Sequence, residues 1–305
     1  MSFGAVHLAF HPCSKLQDIA AKANKTILMM LERYFQYQAD LAATERDMRC
    51  PEDCDAPGCW MSEVAVGVSL FDLIRLSLAL STPVSSLFLN HCRFGFQCNE
   101  LNPRYLNLLI KLEKPCPFLQ KTRCRVHSFK PFDCVFFPEY HQIAGLLPEL
   151  ANRPVFKKFP CLKNKIAVSD QRSQALKELK KMSTREEALS WYFLLEIPCF
   201  IIDTKPLVKQ LKKSGLKSKS FSAENYRRVL YEQLKSTGLF DGIMDKVTRL
   251  DIRQEMESLF SQLENKTLIT SLLEKKESPE IVFRVEGNRL RPVKRYLQRS
   301  DLIFM

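Results

Sequence analysis

The chain has 305 residues, with 46 Lys and Arg against 34 Asp and Glu and a formal net charge of +12. At about 100–200 residues per domain this length makes two domains, or one with an extension. Only nine glycines speak against a loop-dominated or disordered chain. The first residues, MSFGAVHLAFHPCSKLQ, lack a cationic start leading into an apolar run, and no segment offers about 18–20 uninterrupted apolar residues. Neither a secretory signal nor a membrane span is expected.

Ser14 to Met48 reads as one long amphipathic helix, or two with a break near Asn24, with Leu16, Ile19, Ala20, Ala23, Ile27, Met30, Leu31, Tyr34 and Tyr37 or Gln38 in a three-to-four residue rhythm. CPEDCDAPGCW follows, too broken by proline and glycine for a regular element and suited to a loop wrapped around a small object. Val64 to Val68 suggests a short strand. Ser69 and Asp72 have the spacing of a capping box at a helix start, and Thr82-Pro83 opens a second helix. Tyr105 to Glu113 fits either helix or strand and is read as a strand because prolines follow immediately, and Lys114 to Pro138 is read as irregular. Beyond Pro160, Gln171 to Trp191, Ser222 to Thr237 and Arg249 to Leu273 carry helical spacing. Ile281 to Met305 suggests two short strands around Gly287-Asn288. The expected fold is mainly α with small irregular and β elements: a cysteine-cluster metal-binding domain over residues 1–167, and a basic, mostly helical extension over 168–305.

Eleven cysteines need an explanation. Disulfides do not persist in a reducing cytoplasm, the compartment expected here, so clustered cysteines point to metal ligation or redox chemistry. Cys50, Cys54 and Cys59 fall within ten residues, among Pro, Asp, Glu and Gly. Cys116, Cys124 and Cys134 form a second group, with Cys161 further on. A single loop can bend several thiolates around one ion at little closure cost. An all-thiolate shell suits zinc or an iron–sulfur cluster and does not suit calcium or magnesium. Cys13, Cys92, Cys98 and Cys199 lie in or beside apolar runs and read as core residues. His127 and His91 read as structural histidines.

CPFLQKTRCRVHSFKPFDCVFFP, Cys116 to Pro138, resembles the pattern of the YkgJ-type cysteine-cluster family, described as zinc- or iron-chelating proteins. VSLFDLIRLSLALSTPVSSLFLNH, Val68 to His91, is similar to the helical hairpin that family places between its cysteine groups, and FPCL around Cys161 fits its late cysteine. The resemblance runs from Cys50 to about Cys161. It implies a bacterial protein whose metal ligands are Cys50, Cys54, Cys59, Cys116, Cys124, Cys134 and Cys161. A partial likeness to flagellin lysine methylases implies, as an alternative, cluster-dependent methyl transfer.

No phosphate-binding glycine loop, nucleophile elbow, His-Glu-x-x-His or dinucleotide fingerprint occurs. Three function classes therefore compete: a metal-binding protein, an iron–sulfur oxidoreductase or methylase, and a metal-scaffolded interaction protein. For the third, residues 151–250 hold 21 Lys and Arg against 10 Asp and Glu, densest over Lys205 to Lys219. That points to an acidic protein or nucleic acid as partner of residues 168–305.

Overall fold

The structure, a computed structural model, describes residues 14–44, 55–98, 104–162, 167–213, 223–287 and 289–294. Helix α1 (Ser14–Ala43) runs unbroken past Asn24 and turns Leu31, Phe35 and Gln38 inward, whereas Met30 and Tyr37, expected on the apolar face, are exposed. A single turn, α2 (Pro57–Trp60), precedes α3 (Leu70–Leu80). The expected capping box is present at α3: Ser69 Oγ accepts from the Asp72 amide at 3.0 Å, and the Asp72 carboxylate accepts from the Ser69 amide at 2.9 Å. Helix α4 (Val84–His91) follows Pro83, whose fixed φ suits a helix entry.

Strands β1 (Cys92–Cys98) and β2 (Tyr105–Leu112) pair antiparallel, with Cys92 opposite Leu112. The segment HCRFGFQC, read from sequence only as core packing, is thus mostly strand. Its apolar side chains face the core while Arg93 and Gln97 are exposed, a period-two pattern. The other edge of β2 is shared. Its start pairs with β5 (Ile201–Asp203), and its end meets Val66 to Val68 through Val68 N–Ile110 O and Leu112 N–Val66 O bonds, both 2.9 Å. Val64–Val68 therefore contributes a bridge at Gly67 in place of the full strand expected.

Lys114 to Pro138, expected to be irregular, holds a small hairpin of β3 (Leu119–Gln120) and β4 (Arg123–Cys124). A 3₁₀ turn over His127–Phe129 and α5 (Phe132–Phe136) follow. Next come α6 (Glu139–Ile143), α7 (Leu147–Asn152) and 3₁₀ turns over Pro154–Lys158 and Pro160–Leu162. Helix α8 (Asp170–Leu195) is capped by Ser169 and runs through the middle of the fold. Helices α9 (Lys205–Lys213), α10 (Ala223–Ser236) and α11 (Leu239–Arg249) follow. The apolar rhythm of Arg249 to Leu273 is split into α12 (Arg253–Leu263) and α13 (Lys266–Glu277). The break falls where the Asn265 side chain caps α13 by accepting from the Leu268 amide at 3.0 Å. Strands β6 (Ile281–Glu286) and β7 (Arg289–Lys294) turn at Gly287, whose φ is +62°.

The sheet order is β1-β2-β5-β6-β7, antiparallel except for the parallel β5–β6 pair. Residues from both expected segments, 1–167 and 168–305, enter this sheet and one core cluster running from Leu31 to Val285. Asp203, 1% exposed, ties the sheet together by accepting from Arg104 at 2.9 and 2.7 Å and from Arg284 at 3.3 Å. The architecture is mainly α with a mixed five-stranded sheet. Among the described residues no single helix is long and apolar enough to cross a membrane. Helices α3 and α4 are apolar enough together but bend through 108° and bury much of their surface in the core.

Candidate metal site

The pairing at the end of β2 decides where the cysteines meet. Val66 lies opposite Leu112, so the chain entering Val66 from α2 and the chain leaving Leu112 run to the same end of the sheet. Cys59 on α2 and Cys116 after β2 consequently come together. The Cys116 amide donates to the Cys59 carbonyl at 2.6 Å, and the two thiols hydrogen-bond each other. The β3–β4 hairpin then folds back, pairing Leu119 with Cys124, and returns Cys124 toward Cys116.

Cys134 is positioned by α3. The Asp72 carboxylate accepts from the Phe132 amide at 3.2 Å, and Arg75 donates to the Lys130 carbonyl at 3.1 Å. The neighbouring Asp133 accepts from the Gly67 amide at 2.7 Å. These bonds fix both ends of the turn leading into α5 and place the Cys134 thiol within electrostatic reach of Cys59 and Cys116. Cys161, half-buried, follows Phe159, whose ring lies 3.3 Å from where a Cβ on Gly58 would stand. A side chain at Gly58 would crowd that ring, so glycine suits this approach of the Cys161 segment to α2.

The electrostatics are those of thiols crowded together. The mutual hydrogen bond raises Cys59 above its ordinary range, with burial adding to it, and lowers Cys116 to about 6. The pair therefore shares a proton that Cys59 keeps and Cys116 releases first. Burial pushes Cys134 up to about 12, with Lys130 opposing, and burial raises Cys124 as well. Lys114 donates to the Gly58 carbonyl and stands near Cys59, Cys116 and Cys134. Sequence reasoning passed over Lys114; its position two residues before Cys116 was the available signal.

Four of the seven expected ligands, Cys59, Cys116, Cys124 and Cys134, thus gather at one end of the sheet. Cys161 is on a segment packed against α2, and Cys50 and Cys54 lie outside the described residues. Among the described residues no group of three or more His, Cys, Asp or Glu side chains is arranged to hold a metal ion. The donors gathered are all soft sulfur, a set suited to zinc or iron–sulfur chemistry and unsuited to hard cations. His127 is exposed on its 3₁₀ turn, and His91 meets the Phe118 ring edge-on at 5.3 Å. Cys92 and Cys199 are pushed up to about 12 and about 11 by burial, as expected of core thiols, while the Cys13 and Cys98 side chains lie outside the described residues. No protein-family model, no curated protein and no solved structure matches the chain.

Proposed function

We propose that the chain binds zinc or an iron–sulfur cluster through thiolates drawn from Cys50, Cys54, Cys59, Cys116, Cys124, Cys134 and Cys161. The observation that carries this reading is the direct thiol–thiol contact of Cys59 and Cys116, with Cys124 and Cys134 converging on the same place from two further elements. Cys116, Cys124 and Cys134 are half-buried against the core, and thiols clustered in this way repel each other once ionised. A bound cation would supply the positive charge that stabilises several thiolates at once. The chain's own contribution is positional: Asp72, Arg75 and Asp133 hold the Cys134 turn, and the Val66–Leu112 pairing holds Cys59 against Cys116. The likeness of Cys116 to Pro138 to the YkgJ-type pattern supports the same reading.

Elemental analysis with a visible spectrum, on protein purified without oxygen, tests it. Iron with sulfide and broad absorbance near about 400 nm, where thiolate-to-iron charge transfer falls, selects the cluster and opens the oxidoreductase or methylase reading. Colourless protein with about one zinc per chain selects a structural ion. Metal-free protein after anaerobic handling overturns the proposal.

A further inference from the structure

Residues 114–132 and 150–169 each contain five Lys or Arg and no Asp or Glu, and described parts of both, Cys116 in the first and Lys158 and Phe159 in the second, meet α2. In the first run, the β3–β4 hairpin exposes Lys121 and Arg123, with Arg125 exposed just beyond it. The hairpin reaches α2 through Cys116, which bonds Cys59. In the second run, the 3₁₀ turn over Pro154–Lys158 exposes Lys157 and Lys158. Lys158 Nζ stands 5.7 Å from the centre of the Trp60 ring, and Phe159 closes on Gly58. Trp60 is 39% exposed, its indole N–H held by the Asp55 carbonyl at 3.1 Å.

In the C-terminal half, Lys246, Arg253, Lys276, Arg284 and Arg291 meet Glu196, Glu257, Glu187, Asp203 and Glu286, while exposed Lys235, Lys266 and Lys275 form no salt bridge among the described residues. On the strip, Lys121, Arg123, Arg125, Lys157 and Lys158 form no salt bridge among the described residues. Among the described residues the exposed acids beside α2 are Asp55 and Glu63. Exposed cations on two segments that meet α2, one of them over the exposed Trp60 ring, offer phosphate contacts beside a stacking platform.

We propose that this strip docks single-stranded nucleic acid, with phosphates along Lys121, Arg123, Arg125, Lys157 and Lys158 and a base stacked on Trp60. An acidic protein segment would meet the charges but make no use of the exposed indole face. A nucleotide supplies a phosphate and a planar ring together. The proposal rests on surface charge and does not require that the cysteines hold metal. It also assigns the polyanion to segments other than the Lys205–Lys219 stretch, whose residues 214–219 lie outside the described residues.

Fluorescence anisotropy of the full chain with labelled oligouridylate and oligodeoxythymidylate of about 16 nucleotides, the upper end of common single-strand site sizes, tests this across a salt series. Metal content is measured on every variant. Binding should weaken with salt by roughly 0.7 log units per log unit of salt for each phosphate contacted. The triple variant Lys121→Ala/Arg123→Ala/Arg125→Ala should flatten that slope by about 2, and Lys157→Ala/Lys158→Ala by about 1.4. Trp60→Leu should cost roughly tenfold in affinity with the slope retained, because stacking releases no counterions. RNA binding tighter than DNA, or the reverse, identifies the natural strand. A control of equal charge loss, Lys235→Ala/Lys266→Ala/Lys275→Ala, should leave the slope unchanged. Equal flattening by the control would overturn the assignment to this strip. Polyglutamate competing as well as oligonucleotide, with Trp60→Leu neutral, would overturn it in favour of an acidic protein.

Discussion

The guanidinium of Arg172 on α8 and the carboxylate of Glu139 on α6 meet at 2.7 Å with both side chains 1% exposed. The same guanidinium donates to the carbonyls of Leu41, Ala42 and Thr44 at 3.3, 2.9 and 3.3 Å. It therefore closes the C-terminal end of α1, whose last carbonyls lack partners within the helix. This buried pair therefore anchors the chain where it leaves α1.

Removing Arg172 takes a charged partner from the buried Glu139 carboxylate and the closing donor from the end of α1. Arg172→Met should cost about 3–5 kcal/mol in denaturant unfolding. Arg172→Met combined with Glu139→Leu should recover part of that loss, since the stranded carboxylate is gone. A double variant no more stable than Arg172→Met would show that the helix-end contacts, and not the ion pair, carry the effect.

Glu186 on α8 lies fully buried, accepting from Tyr34 at 2.7 Å and from Gln38, which in turn accepts from Arg75 at 2.6 Å. Burial raises its carboxyl to about 7, with Arg75 opposing and Asp72 adding to it. Below the unfolded carboxyl range, near about 4.3, both states are protonated and Glu186 adds no pH dependence. Between there and about 7 the unfolded state loses its proton first, so stability falls as pH rises, and the full penalty is present above the folded value. Glu186→Gln should therefore match the wild type near pH 4 and exceed it above neutrality, by on the order of 2–3 kcal/mol. Urea midpoints of both proteins across that range measure the difference. A constant gap would mean that Glu186 does not titrate in the folded chain.

If metal bridges α2, the hairpin and α5, its removal should release all three. A strong chelator should lower the thermal midpoint of the wild type. Cys116→Ser and Cys134→Ser should lower both the metal content and the midpoint without chelator. Cys199→Ser should leave metal content unchanged, because its thiol packs beside Tyr105, Ile201 and Val282. Equal metal loss in Cys199→Ser and Cys116→Ser would count against the assignment of ligands.

Ser69→Ala should cost about 1 kcal/mol through the lost cap of α3. Asp72→Ala should cost more, because Asp72 also pairs with Arg75 at 2.5 Å and accepts from the Phe132 amide. Since that amide leads into α5, Asp72→Ala should also reduce metal retention where Ser69→Ala does not. Elemental analysis of the two variants separates the two effects.

Local chemistry determined much of this chain from sequence alone. The Ser69–Asp72 cap is set by residues three positions apart, so its spacing was enough, and α1 was legible as a helix from its period; Tyr105 to Leu112 was a strand only by the prolines that follow it. The concentration of thiols among proline, aspartate and glycine was equally legible, as was their soft donor chemistry. Pairings between distant segments were not. No residue in HCRFGFQC announces that it faces Lys111 and Ile110, and Ile201 to Asp203 is too short to declare itself a strand that β2 and β6 enclose. The meeting of Cys59 with Cys116 depends on the register of Val66 against Leu112, and register is set by which side chains the assembled core can bury. Sequence named the cysteines; the tertiary structure decided which of the described ones meet.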